Sequence, residues 1–258
     1  MKSLSPLDRF KLSLPDVIKR ITARFGISIS SLSNVSEYRL VADSIKRNNV
    51  DLLIDLGANR GQFAIGVRAC GYRGPLVSFE PDSVIFKKLE AAAKSDKQWE
   101  TLNLAVIDSE DETMSFNVSS NLGYSSSLLS FSSNANRFYP RLETSKKITV
   151  NCISLKNVLK KYDFATSVFI KADIQGFEKQ LFSFFDLKNS KNVSGVMIEI
   201  SLTLIYEGEW SVLECLTYFE LQGFNLIAVS PEDYSEKFGN PQVNLYFERS
   251  PIKKEPVV

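Results

Sequence analysis

Three charged residues interrupt apolar runs in the second half of the chain, and their types suit proton transfer. Lys171 and Asp173 stand two positions apart in the run 168–173, so a strand places both side chains on the same side. Glu199 lies near the end of a second apolar run, 195–200. Burying an unpaired charge is costly, so such residues are either paired or part of a functional site. We predict that Asp173 first, and Glu199 second, accept a proton from a substrate hydroxyl as catalytic residues.

Lys171 has two interpretations. It is a catalytic residue beside the two acids, or it forms a purely structural buried ion pair with Glu199 or Glu178. Gly176 permits a tight turn from the strand into the helix that carries Glu178. The sequence leaves both interpretations open.

The elements that must position these residues alternate between strands and helices. This alternation, with strands that are almost entirely apolar, predicts an α/β fold with a mostly parallel sheet covered on both faces. Ligands of such sheets bind at the carboxyl ends of the strands. Strands are predicted at 51–56, 75–80, 100–107, 167–173, 193–200 and 224–229, and an antiparallel last strand at 243–247. Helices are predicted at 6–25, 35–48, 61–70, 82–94, 177–187 and 207–222.

A glycine-containing loop follows the first predicted strand. Asp55 stands two places before Gly57, and Asn59 and Gly61 follow at alternate positions. A second apolar run ends in Glu80, nineteen residues after Gly61. This strand–turn–helix–strand–acid unit predicts a site for an adenosine-containing cofactor, with Glu80 on the ribose hydroxyls.

The spacing of the loop distinguishes between cofactors. A dinucleotide site has the pattern Gly-x-Gly-x-x-Gly, whose close backbone accepts a pyrophosphate. Asp55 would repel a pyrophosphate but attracts an ammonium group, and S-adenosylmethionine carries one. Asn59 suits the middle position because asparagine adopts positive φ more readily than most residues. The loop therefore favours S-adenosylmethionine, bound by Asp55, Gly57, Asn59 and Gly61; a nicotinamide site and a plain strand-to-helix turn remain as alternatives.

The third predicted strand should border the adenine. Its end contains Ala105 and Val106, whose backbone we expect beside the base, with Asp108 either a further neighbour or a surface residue.

The stretch 113–150 departs from the alternating pattern. Short strands are predicted at 114–118 and 148–152, and a polar and aromatic segment lies between them. Long insertions in α/β domains are usually functional. We expect 119–140 to form a lid over a sugar, in which hydroxyl groups bind hydroxyls and aromatic faces cover carbon-bound hydrogens. Predicted substrate-binding residues are Tyr124, Ser125, Ser126 and Gln175.

Composition excludes several classes of protein. The chain of 258 residues contains no histidine, so no Ser-His-Asp or Cys-His catalysis is available. A net charge of +1, without a basic stripe, does not indicate a nucleic-acid partner. No apolar stretch reaches the length of a transmembrane helix, and the start is too polar for a signal peptide. Three widely spaced cysteines indicate reduced thiols in a cytoplasmic protein.

The chain resembles the FkbM family of S-adenosylmethionine-dependent methyltransferases. The run at 170–178, Lys-x-Asp-x-Gln-Gly-x-Glu after a strand, is the most family-specific signal. The resemblance extends over about 50–200, and the residues that carry it are 54–61, 79–81, 103–106, 125–128 and 170–178.

The resemblance implies a Rossmann-like class I fold with a seven-stranded sheet and a reversed last strand. The implied domains are a helical extension at 1–49, whose role is not inherited from the family, and a methyltransferase domain at 50–258. The implied activity is O-methylation of a sugar, glycan or other secondary metabolite, with the cofactor roles on Asp55, Gly57, Asn59, Gly61 and Glu80.

Three alternatives to this activity remain. A metal-assisted version, with Asp173 and Glu199 holding a magnesium ion, stays open but is not favoured. A nicotinamide oxidoreductase and a non-catalytic domain that binds cofactor or a partner enzyme are the others. Nucleic-acid methylation is not expected, because the Asp/Asn-Pro-Pro-aromatic motif is absent where Asp173 stands.

Overall fold

The computed structural model describes residues 36–109, 111–121, 123, 125–139, 142–183, 185–231 and 242–249. These residues form ten strands and seven helices. The strands are β1 Leu52–Leu56, β2 Leu76–Phe79, β3 Trp99–Leu102, β4 Ala105–Ile107, β5 Thr113–Ser119, β6 Thr144–Ser154, β7 Val168–Ala172, β8 Val193–Ser201, β9 Phe224–Pro231 and β10 Gln242–Arg249. The helices are α1 Ser36–Arg47, α2 Gln62–Ala69, α3 Ser83–Ala93, α4 Ala135–Phe138, α5 Leu155–Lys161, α6 Glu178–Ser183 and α7 Val212–Leu221.

Seven of the strands form one sheet in the order β3-β2-β1-β7-β8-β10-β9. Strands β3, β2, β1, β7 and β8 are parallel, whereas β10 runs antiparallel to both β8 and β9. The chain continues from β1 outward in one direction through β2 and β3, and later in the other through β7 and β8. The β1–β7 junction is therefore the switch point at which such sheets bind ligands. This is the predicted Rossmann-like class I architecture, including its reversed last strand.

Side-chain alternation along the strands builds a core on each face of the sheet. Leu52, Ile54 and Leu56 pack on the face covered by α5, α6 and α7. Leu53 packs on the opposite face, against α1, α2 and α3. Asp55 follows the same alternation as Leu53, so this acid is directed into the second core.

A smaller sheet of order β4-β6-β5 lies at residues 105–154. β5 and β6 include the two short strands predicted for the insertion, and β6 extends to eleven residues. The described part of the chain contains no helix long and apolar enough to cross a membrane. No disulfide bond joins Cys70, Cys152 and Cys215.

Two details correct the sequence prediction. The expected strand 100–107 is divided between the two sheets, because the Asn103 side chain donates hydrogen bonds to the carbonyls of Glu80 and Pro81, at 2.8 and 3.0 Å. Helix α5 was not predicted; Ser154 begins it by accepting a hydrogen bond from the Asn157 amide at 3.3 Å. The predicted helix 6–25 lies outside the described residues.

Candidate active site

A cavity of about 570 Å³ opens at the carboxyl ends of β1, β2, β7 and β8. Its wall combines the loop after β1, the turn after β2, the start of β4, the insertion, and the ends of β7, β8 and β10. Among the predicted site residues, those that line it are Gly57, Asn59, Glu80, Ala105, Val106, Ser125, Ser126, Lys171, Asp173, Gln175 and Glu199. The fold thus gathers eleven predicted residues at one place.

The loop after β1 is tightly turned. Gly57 has φ 72°, Asn59 φ 48° and Gly61 φ 88°. A side chain on Gly57 would lie 1.8 Å from the carbonyl oxygen of Asp173, so only glycine fits between the loop and β7. A side chain on Gly61 would instead lie 2.7 Å from the ring of Trp99, and Gly61 does not line the cavity. Its position explains the turn, whereas contact with a cofactor remains a prediction.

Glu80 joins the loop to the second strand. Its two carboxylate oxygens accept hydrogen bonds from the backbone amides of Asn59 and Asp82, both at 2.9 Å. Burial raises the pKa of the Glu80 carboxyl to about 8, although these two hydrogen bonds oppose the shift. In the ionised form, each oxygen keeps one lone pair for a ligand hydroxyl.

Asp55 and Lys171 lie opposite each other on β1 and β7 and form a buried ion pair. The Lys171 Nζ is 3.2 Å from Asp55 Oδ1 and 3.3 Å from Asp173 Oδ2. Burial lowers the pKa of Lys171, but the adjacent carboxylates of Asp173 and Asp55 outweigh it and raise that pKa overall. The sequence prediction of Glu199 or Glu178 as the partner is therefore replaced by Asp55 and Asp173.

This geometry also changes what Asp55 can do. Its side chain is fully buried, and its second oxygen accepts a hydrogen bond from Ser78 at 3.1 Å. Asp55 does not line the cavity. Its direct contact with a cofactor ammonium stays a prediction, and the structure shows it holding Lys171.

Asp173 and Glu199 are joined by one amide. The Gln175 Nε2 donates to Asp173 Oδ1 at 2.7 Å and to Glu199 Oε1 at 2.9 Å. The Gln175 Oε1 accepts from the Tyr206 hydroxyl at 2.6 Å. All polar groups of this amide have partners within the protein, so the structure gives Gln175 the role of joining the acids. Its direct contact with a substrate stays a prediction.

Residues 55–226 match the family model described as the methyltransferase FkbM domain. The match covers more than half of the chain. The chain belongs to the FkbM methyltransferase family. The matched residues include Asp173, Glu199 and the Gln175 amide that joins them.

Several solved structures are similar to this FkbM protein, whereas no curated protein matches it. A SAM-dependent methyltransferase from Aquifex aeolicus is 12% identical, with a TM-score of 0.43, over 93% of this chain and all of that one. The 1,6-didemethyltoxoflavin-N1-methyltransferase from Burkholderia thailandensis is 8% identical, with a TM-score of 0.46, over 97% of this chain and 93% of that one.

The insertion of this FkbM protein forms part of the cavity wall. Ser125 and Ser126 line the cavity, but their polar groups take part in a local network: Asn121 Nδ2 donates to Ser125 Oγ at 2.9 Å, and the Ser119 amide donates to Ser126 Oγ at 3.0 Å. Ser127 Oγ donates to the Gln175 carbonyl at 2.7 Å, which ties the insertion to the acid pair. Tyr124 lies outside the described residues.

Sequence reasoning missed four residues of the site in this FkbM protein. Three of them line the cavity: Glu37, Tyr139 and Gln242. The fourth, Tyr206, donates the hydrogen bond that holds the Gln175 side chain. Gln242 donates to Glu199 Oε1 and accepts from the Tyr139 hydroxyl at 2.9 Å. One signal could have identified Gln242: the start of an antiparallel strand lies at the edge where its parallel neighbours end.

A metal centre is not evident in the FkbM fold described here. Within the described ranges, no group of three or more Asp, Glu or Cys side chains is arranged to hold a metal ion.

Proposed function

We propose that this protein is an S-adenosylmethionine-dependent O-methyltransferase that acts on a hydroxyl of a sugar, glycan or related secondary metabolite. One observation carries the proposal. Asp173 and Glu199 share the Gln175 amide in the same cavity as the β1 loop and Glu80. A proton-accepting pair and a nucleoside-binding loop therefore open onto the same space.

The residues of the loop fit the cofactor. Gly57 lets the loop pack against the Asp173 carbonyl while lining the cavity, and Glu80 offers free lone pairs to two ribose hydroxyls. The Asn59 Oδ1 is buried and has no hydrogen-bond partner among the described residues, so it can accept a hydrogen bond from a ligand. Ala105 and Val106, both buried on the cavity wall, would border the adenine. When bound, S-adenosylmethionine supplies a methyl group on a positively charged sulfur.

The acids would act on the substrate hydroxyl. Asp173 has a side chain that is 30% exposed, so it reaches the cavity space while Lys171 and Gln175 fix its orientation. We assign it the proton from the attacking hydroxyl, and assign Glu199 a second hydrogen bond to the substrate. General bases of this kind contribute roughly 10²–10⁴-fold to a rate.

The cavity wall suits a polar small molecule. Asn121, Ser125, Ser126 and Tyr139 supply hydroxyl and amide groups on the side formed by the insertion. The near-zero net charge, +1, offers little attraction to a nucleic-acid backbone. We propose no metal in this reaction. A cytoplasmic location is part of the proposal and is supported by three cysteines that form no disulfide bond.

The test is methyl transfer from labelled cofactor to a panel of nucleotide sugars and glycans. Asp173→Asn and Glu199→Gln should each still bind the cofactor, measured by calorimetry, and lose about tenfold or more in turnover. Asp163→Asn, which neutralises an exposed acid outside the cavity, serves as the control. Full activity in both site variants would remove the acids from the mechanism, and turnover of no acceptor by wild type would favour a binding-only domain.

A further inference from the structure

The segment that precedes the family domain contributes to the cavity. Helix α1 lies before the matched residues 55–226 and places Glu37 and Tyr38 on the cavity wall. The helix is fixed against α2, because the Tyr38 ring lies 2.6 Å from where a side chain on Gly66 would be and 6.3 Å from the Phe63 ring. Glu37 is therefore held beside the β1 loop.

The charges at this end of the cavity do not balance. Two carboxyl groups, those of Asp55 and Asp173, contact the single ammonium of Lys171, and a third, that of Glu37, lines the same cavity. That ammonium is already shared by Asp55 and Asp173, at 3.2 and 3.3 Å. Another cation would therefore be attracted to this end.

Glu37 lines the same cavity as Lys171 and Asp173. Burial raises the pKa of its carboxyl, a hydrogen bond with Tyr38 and the Lys171 ammonium lower it, and the Asp173 carboxylate raises it further. A ligand cation would compensate for the burial. The Asn59 Oδ1 of the same cavity is buried and lacks a donor among the described residues. One carboxylate and one amide oxygen thus offer acceptors to a group with several N–H donors.

We propose that Glu37, together with the Asn59 Oδ1, binds the ammonium group of the cofactor's amino-acid tail. This inference rests on the proposed function, since it takes S-adenosylmethionine as the ligand. The sequence predicts that Asp55 binds this ammonium, but Asp55 forms an ion pair with Lys171. The inference therefore gives the role to Glu37, which lies outside the matched family domain.

The test compares two nucleosides by calorimetry. S-adenosylhomocysteine keeps the amino-acid tail, whereas 5′-methylthioadenosine keeps adenosine and sulfur but lacks the tail. Glu37→Gln should weaken binding of the first by about tenfold or more, because a buried charge partner is lost, and leave binding of the second unchanged. Asp43→Asn is the matched control: it removes one negative charge from the same helix, at a half-exposed pair with Arg39, and should change neither affinity.

The outcomes separate the two proposals. Wild type that binds neither nucleoside overturns the proposed function and this inference together. Wild type that binds both, with Glu37→Gln binding S-adenosylhomocysteine equally well, overturns the role of Glu37 alone. Equal losses for both nucleosides in Glu37→Gln also overturn it, because the effect would not depend on the ammonium.

Discussion

The ammonium of Lys171 has more acceptors than protons. Besides the two carboxylates, its Nζ lies 3.3 Å from the Leu56 carbonyl and 3.1 Å from the Gly57 carbonyl. These contacts fix the end of β1 and the start of the loop against β7. A side chain predicted as a catalytic residue or as a structural ion-pair partner therefore acts in the structure as the link between the β1 loop and Asp173.

Replacing Lys171 should destabilise the protein through the charges left behind. Lys171→Met leaves Asp55 buried without its partner, and breaking a buried pair costs about 3–5 kcal/mol. Adding Asp55→Asn removes the orphaned charge and should restore part of that stability. Urea unfolding of the two single variants and the double variant measures the coupling.

Lys179→Met is the control for this experiment. Its partner Glu214, at 2.9 Å, is half exposed, and exposed pairs contribute only about 0–1 kcal/mol. An equal loss of stability in Lys171→Met and Lys179→Met would contradict a structural role for the buried pair.

Some of these residue roles were predictable and others were not. Asp55, Lys171, Asp173 and Glu199 all interrupt apolar strands, which marks them as special without naming their partners. The pairing of Asp55 with Lys171 depends on the register between β1 and β7, where the two residues are directly opposite. Glu37 gave no signal, because an acid in the first turn of a surface helix is ordinary.

At the scale of elements, the turn between β7 and α6 determines where Gln175 points. Gln175 and Gly176 have φ values of 57° and 91°, both in the left-handed region. A side chain on Gly176 would lie 2.8 Å from the Tyr206 side chain, which itself holds Gln175. The turn, the tyrosine and the amide are therefore packed as one unit.

Gly176→Ala should disturb this unit more than backbone strain alone explains. Alanine at positive φ costs on the order of 1 kcal/mol wherever it occurs, and here it also displaces Tyr206. Gly223→Ala is the matched control, since Gly223 has φ 82° and open space around it. We expect a larger loss of thermal stability and of methyl transfer in Gly176→Ala. Equal melting temperatures in the two variants would show that the close contact is unimportant.

The elements themselves were largely predictable from their patterns. Apolar runs located the central strands β1, β2, β7 and β8, because strands buried on both faces cannot carry regular polar positions. The division of 100–107 was not visible, since it depends on Asn103 reaching the carbonyls of Glu80 and Pro81. Helix α5 was missed because its seven residues are too few for a clear helical period.

At the scale of the whole molecule, the absence of histidine simplifies the response to pH. In most proteins histidine dominates titration between pH 5 and 8, but this chain has none. The groups expected to titrate there are buried carboxyls with raised pKa values, chiefly Glu80 and Glu178, both at about 8. Acids with lowered pKa values, such as Glu214 at about 2, affect stability only in more acidic solution.

Stability should therefore fall as the pH rises from about 4.5 to about 8. Burial raises the pKa of Glu178 from 4.5 to about 8, so in this interval the folded protein keeps a proton that the unfolded chain releases. The stabilisation is complete below pH 4.5 and lost as the pH approaches 8, with a slope of up to about 1.4 kcal/mol per pH unit for each such group.

The variant Glu178→Gln tests this pH dependence because its side chain stays neutral at every pH. In wild type, Glu178 Oε1 accepts a hydrogen bond from the Ile174 amide at 2.7 Å, and the glutamine keeps an oxygen that can accept the same bond. Urea unfolding at a series of pH values should show a slope about half that of wild type in this variant, because Glu80 still contributes its share. A free energy of unfolding that stays level or rises between pH 5 and 8 would contradict the raised pKa values of these two carboxyls.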